Sequence, residues 1–210
     1  MHASWMILAS LFFSMMGVCI KYASAHFQTS ELVFFRGLIG VVFMATLCRV
    51  KGVTLRTPIP MMHVWRSVVG VTSLAAWFYA IAHLPLATAM TLNYMSSIWV
   101  AAFLIGGALL YTRGPVQPRQ GLLVLTVLAG FGGVVMILRP TLEQNQLFAG
   151  LIGLMSGLLA ALAYIQVTAL GRVGEPEERT VFYFALGSAL GGGIGVLFTG
   201  LSEWDSQAAV

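Results

Sequence analysis

Seven times along this chain a run of about twenty residues passes with scarcely a charge, and each run ends near a short polar or proline-bearing loop. About 20 apolar residues are what a helix needs to cross the hydrocarbon core of a bilayer. The runs fall at 4–24, 31–50, 63–83, 87–111, 119–138, 147–170 and 179–201. None alternates with the period of two that marks a barrel strand, so helices must satisfy the backbone. Composition closes off the soluble alternative. The chain is 59% hydrophobic and 9% charged, where an ordinary soluble domain carries about 25% charged residues. The expected fold is an all-α, polytopic transmembrane bundle of about seven helices, with the lipid bilayer as its first partner.

Basic residues in the loops orient such a bundle. With the N-terminus cytoplasmic, the inner loops hold Arg49, Lys51, Arg56, Arg66, Arg113, Arg119, Arg172 and Arg179, and the outer side holds Lys21 and Arg139. The acidic pair Glu203 and Asp205 then lies outside. A net charge of +4 in short loops suits anionic headgroups and argues against nucleic acid as a partner. Ala23-Ser24-Ala25 resembles a signal-peptide cleavage site, but Met1-His2 supplies no basic leader, so a retained first helix is expected. Cys19 and Cys48 match no metal-ligand spacing and are read as packing residues rather than a disulfide. No HExxH, GxSxG, P-loop or paired membrane aspartates occur. An enzyme is therefore not expected, nor is a cofactor or a metal, and uphill transport would need an ion gradient or exchange.

A weak internal repeat runs through the pattern. Shifted by 146 residues, Ser10, Ser14 and Gly17 fall on Ser156, Ala160 and Ala163, and Glu31 falls on Glu177. A further slip of two residues brings Phe34-Phe35 onto Phe182-Tyr183. Five spans separate the copies, so the second must cross the membrane inverted, an arrangement common among secondary transporters.

The second-span FFRGLIG, the run AIAHLPLATAMTLNYMSSIWVAAFL and the fifth-span LLVLTVLAGFGGVVMILRPTL together resemble the EamA-type permeases of the drug/metabolite transporter superfamily. The resemblance implies a ten-helix fold of two inverted five-helix repeats. Residues 1–141 would be the first repeat and 147–210 an incomplete second one of two helices, so the chain is expected to be a truncated form. Two departures stand out. Ser97 occupies a position where many members have proline, and GGALLYTRG lacks an acidic residue found there in many of them.

Polar side chains inside the spans are the candidate site. Ser10, Ser14, Gly17 and Lys21 share one helix face, as do Arg66, Gly70, Ser73 and Trp77. Asn93, Ser96 and Ser97 form a patch beside Tyr94. The stripes of small residues in the last two spans, including a doubled GxxxG at Gly187, Gly191 and Gly195, suit helix packing. Arg66 and Lys21, at span ends, are expected to snorkel to headgroups. Ser10 and Ser14 either bond their own helix or line a cavity. Arg36 lies five residues beyond Glu31, about 7 Å into the span at 1.5 Å per residue. There it either snorkels or faces the bundle as a fixed cation near Lys21, and the resemblance favours the second. The proposed substrate-binding set is Arg36, Trp77, Asn93, Tyr94, Ser97 and Ser14.

The reading is an inner-membrane secondary transporter for a small-molecule solute, working by alternating access. A homo-oligomer is compatible with it. The alternative is a non-transporting membrane protein, acting in structure or assembly or left as an inactive remnant.

Overall fold

The computed structural model describes residues 2–111, 118–138 and 146–202. Among these are eight helical segments and no strand: α1 (His2–Ala23), α2 (Thr29–Lys51), α3 (Pro60–His83), α4 (Leu86–Tyr94), α5 (Ser96–Tyr111), α6 (Pro118–Leu138), α7 (Leu147–Arg172) and α8 (Glu177–Thr199). Four of them, α2, α3, α7 and α8, are each long and apolar enough to cross a membrane. Large apolar side chains such as Ile39, Phe43, Leu190 and Leu197 stay exposed on the outside of the bundle. Lipid is the solvent that makes such a surface stable. Arg113, Arg139, Glu203 and Asp205, which enter the charge argument, lie outside the described residues.

Local sequence explains where the helices start and stop. Glu31 closes the N-terminus of α2 by accepting a hydrogen bond from the Gln28 backbone N–H at 2.8 Å, half of a capping box. Gly52, with φ of 69°, takes the left-handed conformation that ends the helix without a Cβ clash. Pro60 opens α3 at a position where its missing N–H costs nothing.

The centre of the bundle is two close helix pairs. In the antiparallel pair α2–α8, glycines remove the side chains that would hold the backbones apart. A Cβ on Gly37 would come 2.3 Å from the Ala189 backbone nitrogen, and one on Gly192 would come 2.4 Å from that of Phe34. Gly187 and Gly191 face Ser67 and Val71 of α3, and Gly195 faces Ser30 of α2. The glycine run therefore packs, as small residues between membrane helices do. Gly37 lies against Ser188, and Gly40 against Ala185. Under the shift of 146 plus two, each of these contacts is carried onto the other. The second pair is α3–α7, where Ser73 Oγ donates to the Ser156 carbonyl at 2.9 Å. Trp77, Phe78, Ala80 and Ile81 of α3 form the buried apolar core with Ile20, Val33 and Ala149.

Three expectations change. The fourth apolar run is not one helix, because it breaks at Met95 between α4 and α5. No proline is involved. Gly157 of α7 leaves so little room that a Cβ there would sit 2.7 Å from the Leu92 carbonyl oxygen. Just past the break, Ser97 Oγ donates to the Tyr94 carbonyl, a local bond that competes with the helical ladder. Lys21 does not snorkel, nor does it stand free beside Arg36. Its ammonium donates to the carbonyls of Ile81, Ala82 and Leu84 at 2.7, 3.2 and 2.8 Å, capping the negative end of α3. Cys48 is buried but Cys19 is exposed, and both thiols are free.

Polar knots tie each end of the α2–α8 pair. At one end the buried Glu31 also accepts from the Ser202 N–H at 2.7 Å and its hydroxyl at 2.6 Å. At the other, Glu175 accepts from Thr57, from His63 Nε2 at 2.7 Å and from Arg179 Nη1 at 2.9 Å. Arg179 reaches on to the Thr54 carbonyl and hydroxyl. Burial pushes the Glu175 carboxyl up, but those three hydrogen bonds and the Arg179 charge outweigh it and hold the group below the usual carboxylate range.

Candidate functional site

Between α1, α2, α3, α4, α7 and α8 lie two small cavities that share walls at Phe13, Trp77, Asn93 and Tyr164. The first, about 130 Å³, is the polar one. α2 contributes Arg36 to it, and one face of α3 contributes Arg66, Gly70, Ser73 and Trp77. α8 adds Phe184, and α7 adds Ala160, Ala163 and Tyr164. The second, about 250 Å³, is walled in addition by Ser10, Met90, Tyr94 and Ser96.

Phe184 organises the cations. The guanidinium carbon of Arg66 lies 4.3 Å from its ring centroid and that of Arg36 lies 5.6 Å away, both within cation–π reach. In the shifted repeat Phe184 is the counterpart of Arg36, so an arginine from one copy rests on the aromatic that replaces it in the other. Gly70 makes the fold-back of Arg66 feasible. A Cβ there would stand 1.9 Å from Arg66 Nη1, so the guanidinium lies across the bare glycine into the cavity. Among the described residues, no carboxylate lines either cavity.

Donors are left over. Arg66 Nε and Nη1 and Trp77 Nε1 are buried without a hydrogen-bond acceptor. Asn93 is held by a 3.3 Å hydrogen bond from its amide to Ser156 Oγ, and Ser156 Oγ in turn donates to the Gly153 carbonyl at 2.6 Å.

Of the residues expected from sequence, Arg36, Trp77, Asn93 and Tyr94 line these cavities. Ser14 and Ser97 line neither. Ser14 Oγ donates to the Ser10 carbonyl at 2.9 Å, and Ser97 Oγ bonds the Tyr94 carbonyl. Ser10 and Ser96 hold positions on the cavity wall instead, although Ser10 Oγ also bonds its own helix at Ile7. Arg66 overturns its expectation of snorkelling, because the notch at Gly70 gives its guanidinium an inward path. The signal was present in sequence as the shared face of Arg66, Gly70, Ser73 and Trp77. Tyr164 carried no such signal, since an aromatic in an apolar run is ordinarily lipid-facing or core, and Phe184 was marked only by its place near the repeat counterpart of Arg36.

Apolar helices with large hydrophobic side chains exposed around a small cationic cavity define an integral membrane protein of the polytopic helical class. Residues 1–138 match the EamA-like transporter family, and the chain belongs to that family. It is 37% identical over 179 residues to the pseudopaline exporter of Pseudomonas aeruginosa, covering 85% of this chain and 60% of that protein. Similarity extends to a riboflavin transporter of Rhizobium johnstonii, at 27% over 195 residues, with 91% of this chain and 62% of the relative aligned. It extends also to an S-adenosylmethionine uptake transporter of Rickettsia prowazekii, at 24% over 194 residues, 89% and 60% respectively. The chain thus spans about 60% of the length of these curated relatives. Family and relatives are transporters, not enzymes.

Proposed function

We propose that this chain belongs to a secondary transporter that moves a small metabolite or drug-like solute across the bacterial inner membrane by alternating access, with its N-terminus cytoplasmic. The observation that carries the reading is the interrupted span. α4 ends and α5 begins at Met95; Asn93, just before the break, lines the cavity that holds Arg36, Arg66 and Trp77, and Asn93, Tyr94 and Ser96 line the adjoining one, which shares Trp77. Discontinuous helices at an interior polar site are how many secondary transporters bind their solutes. The relatives, named for three different solutes, support a small-molecule cargo. Of the basic residues assigned to the inner loops, Arg66 turns into the cavity, and the remaining seven support the orientation.

In this reading Arg36 orients an anionic group, Asn93 and Tyr94 offer hydrogen bonds, and Trp77 supplies an apolar wall. Proteoliposomes carrying the whole protein test it with a panel of labelled metabolites under an imposed proton or sodium gradient. At least one solute should accumulate, and Arg36→Ala should abolish that uptake while insertion and yield stay unchanged. Normal uptake by Arg36→Ala removes Arg36 from the site. A panel that never moves favours the non-transporting alternative.

A further inference from the structure

The polar cavity carries two cations and more donors than it can satisfy. Arg66 Nε and Nη1 and Trp77 Nε1 are buried and unpaired, and Trp77 is only 6% exposed. A buried donor without an acceptor costs about 1–3 kcal/mol, and more when the group is charged. A lysine in such a place could shed its proton. A guanidinium cannot, so Arg36 and Arg66 keep their charge whatever surrounds them.

No described residue in the cavity wall carries a charge that answers those of Arg36 and Arg66. The Phe184 ring offers both guanidinium groups a face, but a cation–π contact contributes only about 0.5–2 kcal/mol and leaves the in-plane N–H groups unpaired. Of the described carboxylates near the ends of the α2–α8 pair, Glu177 is exposed at the start of α8 and the other three are engaged elsewhere. Glu31 is held by Gln28 and Ser202, Glu175 by Thr57, His63 and Arg179, and Glu178 by Lys51. Lys21, the other cation near the membrane interior, is occupied by the α3 carbonyls. Two fixed cations, one of them with buried unpaired donors, and no counter-ion among the described residues of the wall are complementary to an anion from outside.

We infer that the cavity selects solutes bearing an oxyanion, a carboxylate or phosphate, and that Arg66 and Trp77 bind it together with Arg36. This rests on the transporter reading and names its substrate class. The guanidinium of Arg66 and the indole N–H of Trp77 donate to the anion's oxygens, and Arg36, which also lies over the Phe184 ring, supplies the second charge. The small volume of this cavity, about 130 Å³, takes the anionic head. The adjoining chamber of about 250 Å³, with Ser10, Met90, Tyr94 and Ser96 in its wall, takes a neutral body. Gly70 is the positioning residue that lets Arg66 reach the site.

Thermal unfolding of the purified protein in nanodiscs tests this with benzoate and benzamide, which share a ring and differ in charge. Benzoate should raise the midpoint in a saturable way, and benzamide should not. Arg66→Gln should weaken benzoate about tenfold or more, as loss of charged hydrogen bonds implies, and Trp77→Phe should weaken it by a few-fold. Should Arg66→Gln fail to fold, Gly70→Ala serves instead. It keeps the arginine but places a methyl where Nη1 lies, and benzoate binding should weaken there too. The inference is overturned if benzoate has no effect, if benzamide matches it, or if benzoate binds the Arg66 and Gly70 variants as it binds the parent. Transport of a neutral solute that Arg66→Gln leaves untouched would overturn anion selection while the transporter reading stands. Arg66-dependent benzoate binding with no transported solute would uphold the anion site and sink the transporter reading.

Discussion

Replacing Gly37 with alanine adds one methyl where the structure has no room for it. The new Cβ would lie 2.3 Å from the Ala189 nitrogen, 2.7 Å from the Ser188 carbonyl carbon and 2.8 Å from the Ala189 Cα. Ordinary contacts between such atoms fall at about 3.5–4.0 Å, so the methyl lacks about 1 Å of space. All three atoms are backbone, and no rotamer change can clear them. Helices α2 and α8 must part, and a radial gap of about 0.5–1 Å forfeits a quarter to a half of each contact along the seam. Overpacking of this kind typically costs about 1–3 kcal/mol. For a chain of this size that corresponds to a midpoint lower by about 2–4 °C per kcal/mol. Thermal unfolding in detergent or nanodiscs reads it directly, with Gly132→Ala as the control. Gly132 has open space around its Cβ position, so there alanine should be neutral or stabilising by up to about 1 kcal/mol through helix propensity. If Gly37→Ala unfolds where the parent and the control do, the α2–α8 contact described here is wrong.

Lys21→Met keeps the aliphatic stem but removes the cap on α3. It should destabilise by about 1–2 kcal/mol without altering benzoate binding, and an altered benzoate response would place Lys21 in the site after all. For Glu175 the sign follows from its depressed folded value. Its contribution is fully present above the unfolded carboxylate value of about 4.3 and is lost as pH falls through the lower folded value. The gap in unfolding midpoint between the parent and Glu175→Gln should therefore be widest near neutrality and shrink below about pH 4. A gap that stays constant across that range would count against the knot. Arg179→Met, which leaves Glu175 buried without its charge partner, should cost about 3–5 kcal/mol in the same assay, and a change below about 1 kcal/mol would mark the pair as incidental.

Much of the bundle was legible as sequence because lipid imposes a simple rule. Runs such as 147–170 and 179–201 cannot be anything but membrane helices, and glycines at Gly187, Gly191 and Gly195 announce close packing. Helical period placed Arg66, Gly70, Ser73 and Trp77 on one face, and all four line the same cavity. The break at Met95 was not legible. It carries no proline, and the backbone around it packs against Gly157 of a helix some sixty residues away, a contact the sequence pattern does not show.

The division lies between what a helix specifies alone and what its neighbours specify. The amino-acid sequence by itself determined that the chain lies in a membrane as helices, because the backbone of an apolar run has no other partners there. It also determined which side chains share a face, through the 3.6-residue period. Only the tertiary structure decided where each face points and which charges are already engaged. Lys21 and Arg66 look alike as cations near span ends, yet one meets the open carbonyls of α3 and the other folds over Gly70 toward Phe184. Partners far apart in sequence make that choice, and hydrophobic pattern carries no record of them.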